Sequence, residues 1–271
     1  MCIRDSKEAA EVVVEASDGS NGSQIAEIIC KTGEKIVGKS SKGAEKFVIT
    51  ESSQNGESTT VTIIATDYAG NQTVVTDRVF VDRDAPKALI QGVEDYTITS
   101  KPVQVSYLAE EENVIQTVRA NILKEDIDGK KEETEITEWK TKSRNESGDT
   151  KKESVQTLAE DGLYKLRMNV TDMAGNVSHA ERQLIIDKEN PVIAHVDELD
   201  GKYLKKFSWN YSIEESIKDF TNYTYVMKVD DAFYRPGEKI EKEGVHVLTI
   251  EAFDSAGNKG EAKARFTIDH T

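Results

Sequence analysis

Little in this sequence offers covalent or metal chemistry. Of 271 residues only Cys2 and Cys30 are cysteine. Met1 to Ser6 (Met-Cys-Ile-Arg-Asp-Ser) reads as translated adaptor sequence and is set aside, Cys2 with it. On that reading the sequence is expected to be truncated at its N-terminus, so the lack of a leader carries no information. One cysteine then remains, which excludes a disulfide framework and a thiolate metal cluster. Long apolar runs are also missing: the longest are short stretches such as Val12–Val14 and Leu184–Ile186. A spanning helix needs about 20 apolar residues, so no membrane insertion is expected. Basic residues are outnumbered, 35 Lys and Arg against 50 Asp and Glu, for a net charge of -15. Nothing neutralises phosphate, and nucleic acid is excluded as a partner.

Catalytic signatures are absent too. The four histidines, His179, His195, His246 and His270, have no ligand spacing. No His-Glu-x-x-His, Gly-x-Ser-x-Gly or Walker loop occurs. Acidic pairs such as Glu110-Glu111 and Glu214-Glu215 recur at corresponding places, which is how structure repeats and not how an active site does. The chain is expected not to be an enzyme.

What the sequence does have is repetition. Asp-x-Ala-Gly-Asn occurs at Asp67–Asn71, Asp172–Asn176 and Asp254–Asn258, each followed 15 residues after its Asp by another: Asp82, Asp187 and Asp269. Pro86 and Pro191 stand four residues beyond the first two of these. Repeats of this length mark a tandem array. The expected domains are 7–83, 84–187 and 188–271.

Before each motif the apolar residues alternate with period two: Val61, Ile63, Ala65; Leu166, Met168, Val170; Leu248, Ile250, Ala252. The alternation resumes after it at Val79 and Val81, Leu184 and Ile186, Phe266 and Ile268. Each motif therefore joins two strands that share one buried face. Asp67, Gly70, Asn71, Asp172, Gly175, Asn176, Asp254, Gly257 and Asn258 are the turn residues. Gly takes positive φ freely, Asn tolerates it, and the Asp carboxylate accepts backbone N–H groups across the loop. A ligand-binding loop is the competing reading, and turn chemistry is favoured over it. The fold class is all-β: three β-sandwiches in an elongated array. The second repeat carries a charged insertion at 110–153, read as a solvated hairpin and loop.

A strand, then Asp-x-Ala-Gly-Asn, then a strand closing on Ile-Asp-x-x-x-Pro resembles the bacterial immunoglobulin-like domains. The resemblance implies tandem domains of a secreted or surface-anchored protein, with extracellular or cell-surface localisation. It implies as partners the neighbouring domains of a longer chain, and host or cell-wall glycan or protein. Tyr164 is placed as a tyrosine-corner residue would be, whereas His246 and Thr59 replace it in the other repeats.

The junctions Asp82-x-Asp84-x-Pro86 and Asp187-x-Glu189-x-Pro191 resemble the acidic linkers at which cadherin-type domains hold calcium. Calcium, on Asp82, Asp84, Asp187 and Glu189, is the one cofactor considered, because a hard cation takes six to eight oxygens. The competing reading, in which Asp merely closes a strand and Pro begins the next, is favoured. Aromatic residues concentrate in the third repeat. Phe207, Trp209 and Tyr211 alternate with polar residues and are expected in the core, with Tyr223 and Tyr225 as surface rings. The expected function is a non-catalytic spacer. The alternatives are an adhesin or carbohydrate-binding module centred on the third repeat, or accessory domains of an extracellular hydrolase.

Overall fold

The computed structural model describes residues 2–4, 7–20, 22–50, 58–112, 114–140 and 150–271. Strands dominate because the period-two patterns leave one face of each segment apolar, and such faces must pack against one another. They do so in three separate cores. The first runs from Ala10 to Val81, the second from Ile90 to Ile186 and the third from Val196 to Ile268.

The first sandwich packs a three-stranded sheet (Cys2–Arg4, Ala10–Glu15, Ala44–Ile49) on a four-stranded one (Lys35–Ser40, Ile25–Thr32, Thr59–Asp67, Gln72–Val79). Within the opening hexapeptide, Cys2–Arg4 pairs as a strand antiparallel to Ala10–Glu15. Cys30 is buried, and burial pushes its thiol up to about 11, so it is inert. The second sandwich packs Lys151–Leu158, Val103–Glu110 and Lys87–Gln91 on a five-stranded sheet. Its strand order is Lys131–Lys140, Ile115–Glu125, Gly162–Asp172, Val177–Ile186 and Thr97–Thr99, the last pair parallel.

The expected insertion at 110–153 needs correction here. Ile115–Glu125 is a core strand that buries Ile115, Val118, Ala120 and Ile122 and pairs with Gly162–Asp172. Its alternation is masked by the charged residues around it. The hairpin reading fits the turn after that strand: Asp126 Oδ1 accepts from Asp128 N and Lys130 N, and Gly129 sits at φ +81°. The mobile loop expected within the same stretch falls partly on residues 141–149, which lie outside the described residues.

The third sandwich departs from the other two. Its large sheet orders Tyr203–Leu204, Lys259–Ile268, Gly244–Asp254, Tyr223–Val229 and Ala232–Phe233. The facing layer is reduced to the pair Val192–Ile193 with Ile217–Lys218, a bridge between Phe207 and Ile240, and one helical turn, Ile213–Ser216. The turn is nucleated by a capping box in which Ser212 and Glu215 bond reciprocally. Glu214 and Glu215 therefore lie on a helical turn, unlike Glu110 on its strand.

Aromatic rings replace the missing strands. Phe207 packs 4.6 Å from Phe266 between ring centroids, and Tyr234 donates to Glu238 O while accepting from Trp209 N. Trp209 is 4% exposed and Tyr211 38% exposed. Phe207 and Trp209 are core as expected, but the alternation stops there. Tyr211 leaves the core, because its segment is not a strand. Tyr223 packs against the core edge, while Tyr225 and Phe253 are exposed.

The corner at the start of the motif-bearing strand is built twice by different chemistry. Tyr164 donates from its hydroxyl to Glu160 O at 2.8 Å. His246 Nε2 lies 2.7 Å from Lys242 O, the carbonyl at the same offset, and its Nδ1 meets Asp230 Oδ2 at 2.6 Å. A polar tip on a buried ring is what the corner requires, and histidine supplies it.

Since Trp209 fills a layer otherwise short of strands, Trp209→Ala is expected to cost about 3–5 kcal/mol of stability. Chemical denaturation of the two proteins measures it.

Candidate functional site: the junction clamp

Each motif makes the same loop. Asp67 N donates to Asn71 O, Asp172 N to Asn176 O and Asp254 N to Asn258 O. The three glycines sit at φ +90°, +91° and +91° (Gly70, Gly175, Gly257), a region costly for any residue with a Cβ. The loop is then locked by a carboxylate–amide pair. In the second repeat Asp172 Oδ1 accepts from Asn176 N and Oδ2 from Asn176 Nδ2, both at 2.8 Å. Asp67 with Asn71 (2.8 and 2.7 Å) and Asp254 with Asn258 (2.7 and 2.6 Å) repeat the arrangement.

An Asn amide has two N–H donors, and the loop consumes one. The other reaches the preceding repeat. Asn176 Nδ2 donates to Asp82 O at 2.9 Å and Asp84 O at 3.0 Å, and Asn258 Nδ2 donates to Asp187 O at 2.8 Å. The linkers meet this grip with matched turns: Asp84 N donates to Asp82 Oδ1, and Glu189 N to Asp187 Oδ1. The residue between is tied backwards. Arg83 donates to Glu8 O and Thr50 O of the first repeat, and Lys188 N to Asp161 Oδ1 of the second. Each linker is thus stapled on both sides. Pro86 and Pro191 are buried, and the Pro191 carbonyl lies so near Gly260 that a Cβ there would come within 2.1 Å of it.

The first repeat has the loop, and among the described residues no linker lies against its Asn71. Asn71 is exposed and borders a cleft of about 390 Å³ lined by Val14, Ala16, Ile25, Ile63 and Asp67. The difference changes the electrostatics of one shared turn geometry. The Asn71 side chain holds the Asp67 carboxyl below its usual range. Burial under the first linker instead pushes Asp172 up, and the nearby Asp82 carboxylate adds to it.

Of the four calcium candidates the structure places Asp84 and Glu189 at exposed positions, where their backbones, not their carboxylates, serve the linker. Asp82 is buried beside Asp172. Asp187 alone joins a group of three: ligand oxygens of Asp187, Asp219 and Asp254 all lie within 4.8 Å of one another. Asp254 keeps its expected place in the turn as well. Asp219 belongs to no repeated motif, and nothing in the sequence pattern points to it. Its only local signal is an Asx turn, in which Asp219 Oδ1 accepts from Thr221 N and Thr221 Oγ1. Burial, then the Asp219 carboxylate, push Asp187 up.

The opposite shifts of Asp67 and Asp172 give opposite pH responses. A depressed carboxylate stabilises above its unfolded value, about 3.9, and that contribution is lost as pH falls through the folded pKa. A raised one penalises the folded state at neutral pH and releases the penalty as pH falls. The cost of Asp67→Asn is therefore expected to shrink in acid, whereas that of Asp172→Asn grows between pH 7 and about 4. Thermal melts from pH 7 to about 4 read the second, and melts carried on below about 4 read the first.

Residues 114–188 match the family model described as a bacterial Ig-like domain. No curated protein matches the chain. A solved tetra-tandem repeat from the extending region of a large adhesion protein is 14% identical, with TM-score 0.44 over all of this chain and 73% of that one. The fibronectin(III)-like modules of Clostridium thermocellum CbhA are 9% identical, with TM-score 0.36 over 68% of this chain and 87% of theirs. The protocadherin GammaB4 extracellular domain is 16% identical, with TM-score 0.36; 98% of this chain spans 48% of that one. The middle repeat matches a bacterial immunoglobulin-like domain, and a chain carrying its motif three times is consistent with tandem domains of that kind.

Proposed function

We propose that this chain is a non-catalytic spacer of a bacterial surface or secreted protein. Three immunoglobulin-like units, 7–83, 84–187 and 188–271, hold other parts of that protein apart. The observation that carries this reading is the spare amide N–H of Asn176 and Asn258, which grips the carbonyls of the preceding linker. A turn that also fixes its neighbour converts a string of domains into a rod of limited bend, and such arrays draw stability from each unit and its interfaces. Short linkers tied in both directions support the same reading. Among the described residues no helix is long and apolar enough to cross a membrane.

A second reading has one observation in its favour. On the third unit Tyr211 stacks on His195, with centroids 4.0 Å apart and planes within 6°, and Glu198 bonds both rings. A pre-positioned, half-exposed ring pair suits the face of a sugar. A glycan array probed with the whole chain tests it: binding lost in Tyr211→Ala supports a carbohydrate module, and no binding leaves the spacer alone.

If the spacer reading holds, Asn176→Ala removes one loop bond and two linker bonds, and Asn258→Ala removes one of each. Each is expected to cost about 1–3 kcal/mol. Each also broadens the distribution of end-to-end distances. Small-angle scattering, or distances between labels on the first and third units, measures the second effect. Unchanged distances in the double variant would sink the clamp.

A further inference from the structure

Asp187 is an under-bonded buried carboxyl. It is fully buried, and its Oδ2 has no hydrogen-bond partner. Its Oδ1 accepts a long bond from Glu189 N, at 3.3 Å, and the Thr221 hydroxyl, which also donates to Asp219 Oδ1, lies beside it. Leaving a buried carboxylate oxygen unpaired is costly, and the groups beside it make matters worse. Asp219 and Asp254 bring their carboxylates to the same place. The positions are well determined: Asp254 is locked by Asn258, and Asp219 by Thr221. Three acids converge from the linker, the Asp219 turn and the motif loop, and one of them has an unpartnered oxygen aimed among them.

We propose that the second junction binds one calcium ion through Asp187, Asp219 and Asp254. The donor set is all oxygen, which suits a hard cation and does not suit zinc or copper. Calcium–oxygen bonds of about 2.4 Å accommodate ligand oxygens up to about 4.8 Å apart, and the three oxygens lie within that span. Calcium also tolerates an irregular shell, whereas magnesium demands a near-ideal octahedron, and these ligands are fixed by other bonds. The first junction differs. Asp82 and Asp172 face each other there, the amide of Asn176 holds two linker carbonyls, and among the described residues no third carboxylate completes a group. The ion is thus one per chain, and it ties the second unit's last strand to two loops of the third. The inference deepens the spacer reading and rests on it for its consequence, a stiffer second junction, but not for the site itself.

Titration calorimetry of the whole chain, stripped with chelator, tests it with calcium alone and with magnesium alone. One calcium per chain is expected, with Kd about 10⁻⁴–10⁻³ M, as for extracellular modules. Asp219→Asn, a change at a half-buried loop that leaves the Asn258 grip intact, is expected to weaken binding at least about tenfold while the circular dichroism spectrum stays unchanged. Calcium should also raise the melting temperature of the wild type and not of that variant. Absence of calcium binding, binding undiminished in both Asp219→Asn and Asp187→Asn, or equal affinity for magnesium would overturn the proposal. Scattering of the chelated chain separates the two readings. An extended rod that binds no calcium ends the cation site and keeps the spacer, and a chain flexible with calcium bound does the reverse.

Discussion

The second hydrogen on one amide nitrogen connects the parts of this protein. An Asp carboxylate and an Asn amide close the motif turn, and the pair leaves the Asn with one donor to spare. Whether that donor finds a carbonyl decides whether the repeat is joined to its predecessor. In the second and third repeats it does, and the turn becomes part of an interface. In the first, among the described residues, the Asn71 side chain bonds Asp67 and borders a cleft.

That grip has an electrostatic consequence. To reach the linker, the loop carboxylate must be taken out of water together with the Asp that ends the preceding strand. At the first junction this places Asp82 beside Asp172; at the second it places Asp187 beside Asp254 and Asp219. Buried like charges are unfavourable unless something compensates them. Asn176 compensates in part with two carbonyl contacts and two bonds to Asp172. The second junction has one linker contact from Asn258 and one more carboxylate. The two junctions share a motif and differ in charge balance.

The reduced second layer of the third sandwich shows how the same fold tolerates loss of strands. Phe207, Trp209, Tyr234 and Phe266 fill with aromatic volume what strands fill elsewhere, and Tyr234 ties the Trp209 backbone. Its His246 makes the corner bond that Tyr164 makes in the second repeat. Differences that look disruptive when the repeats are set side by side keep the interaction rather than the residue.

Much of this was legible in the residues themselves. Period-two alternation around a glycine-bearing turn permits only a hairpin with one buried face, so Val61, Met168 and Ile250 could be placed inward without a structure. Register persistence between repeats likewise placed Trp209 with Val105. The alternation did not reveal Ile115–Glu125 as a core strand, because flanking charge hid its apolar set, nor did it show where the strand pattern fails before Tyr211. Above all it did not bring Asp219 to Asp187. Local pattern reports which face of a strand is buried, since that depends on neighbours two residues away. Which loop from the next unit closes over a linker depends on how two sandwiches meet end to end. Only the tertiary structure decides that, because the contacts that set it are far apart in sequence and carry no period.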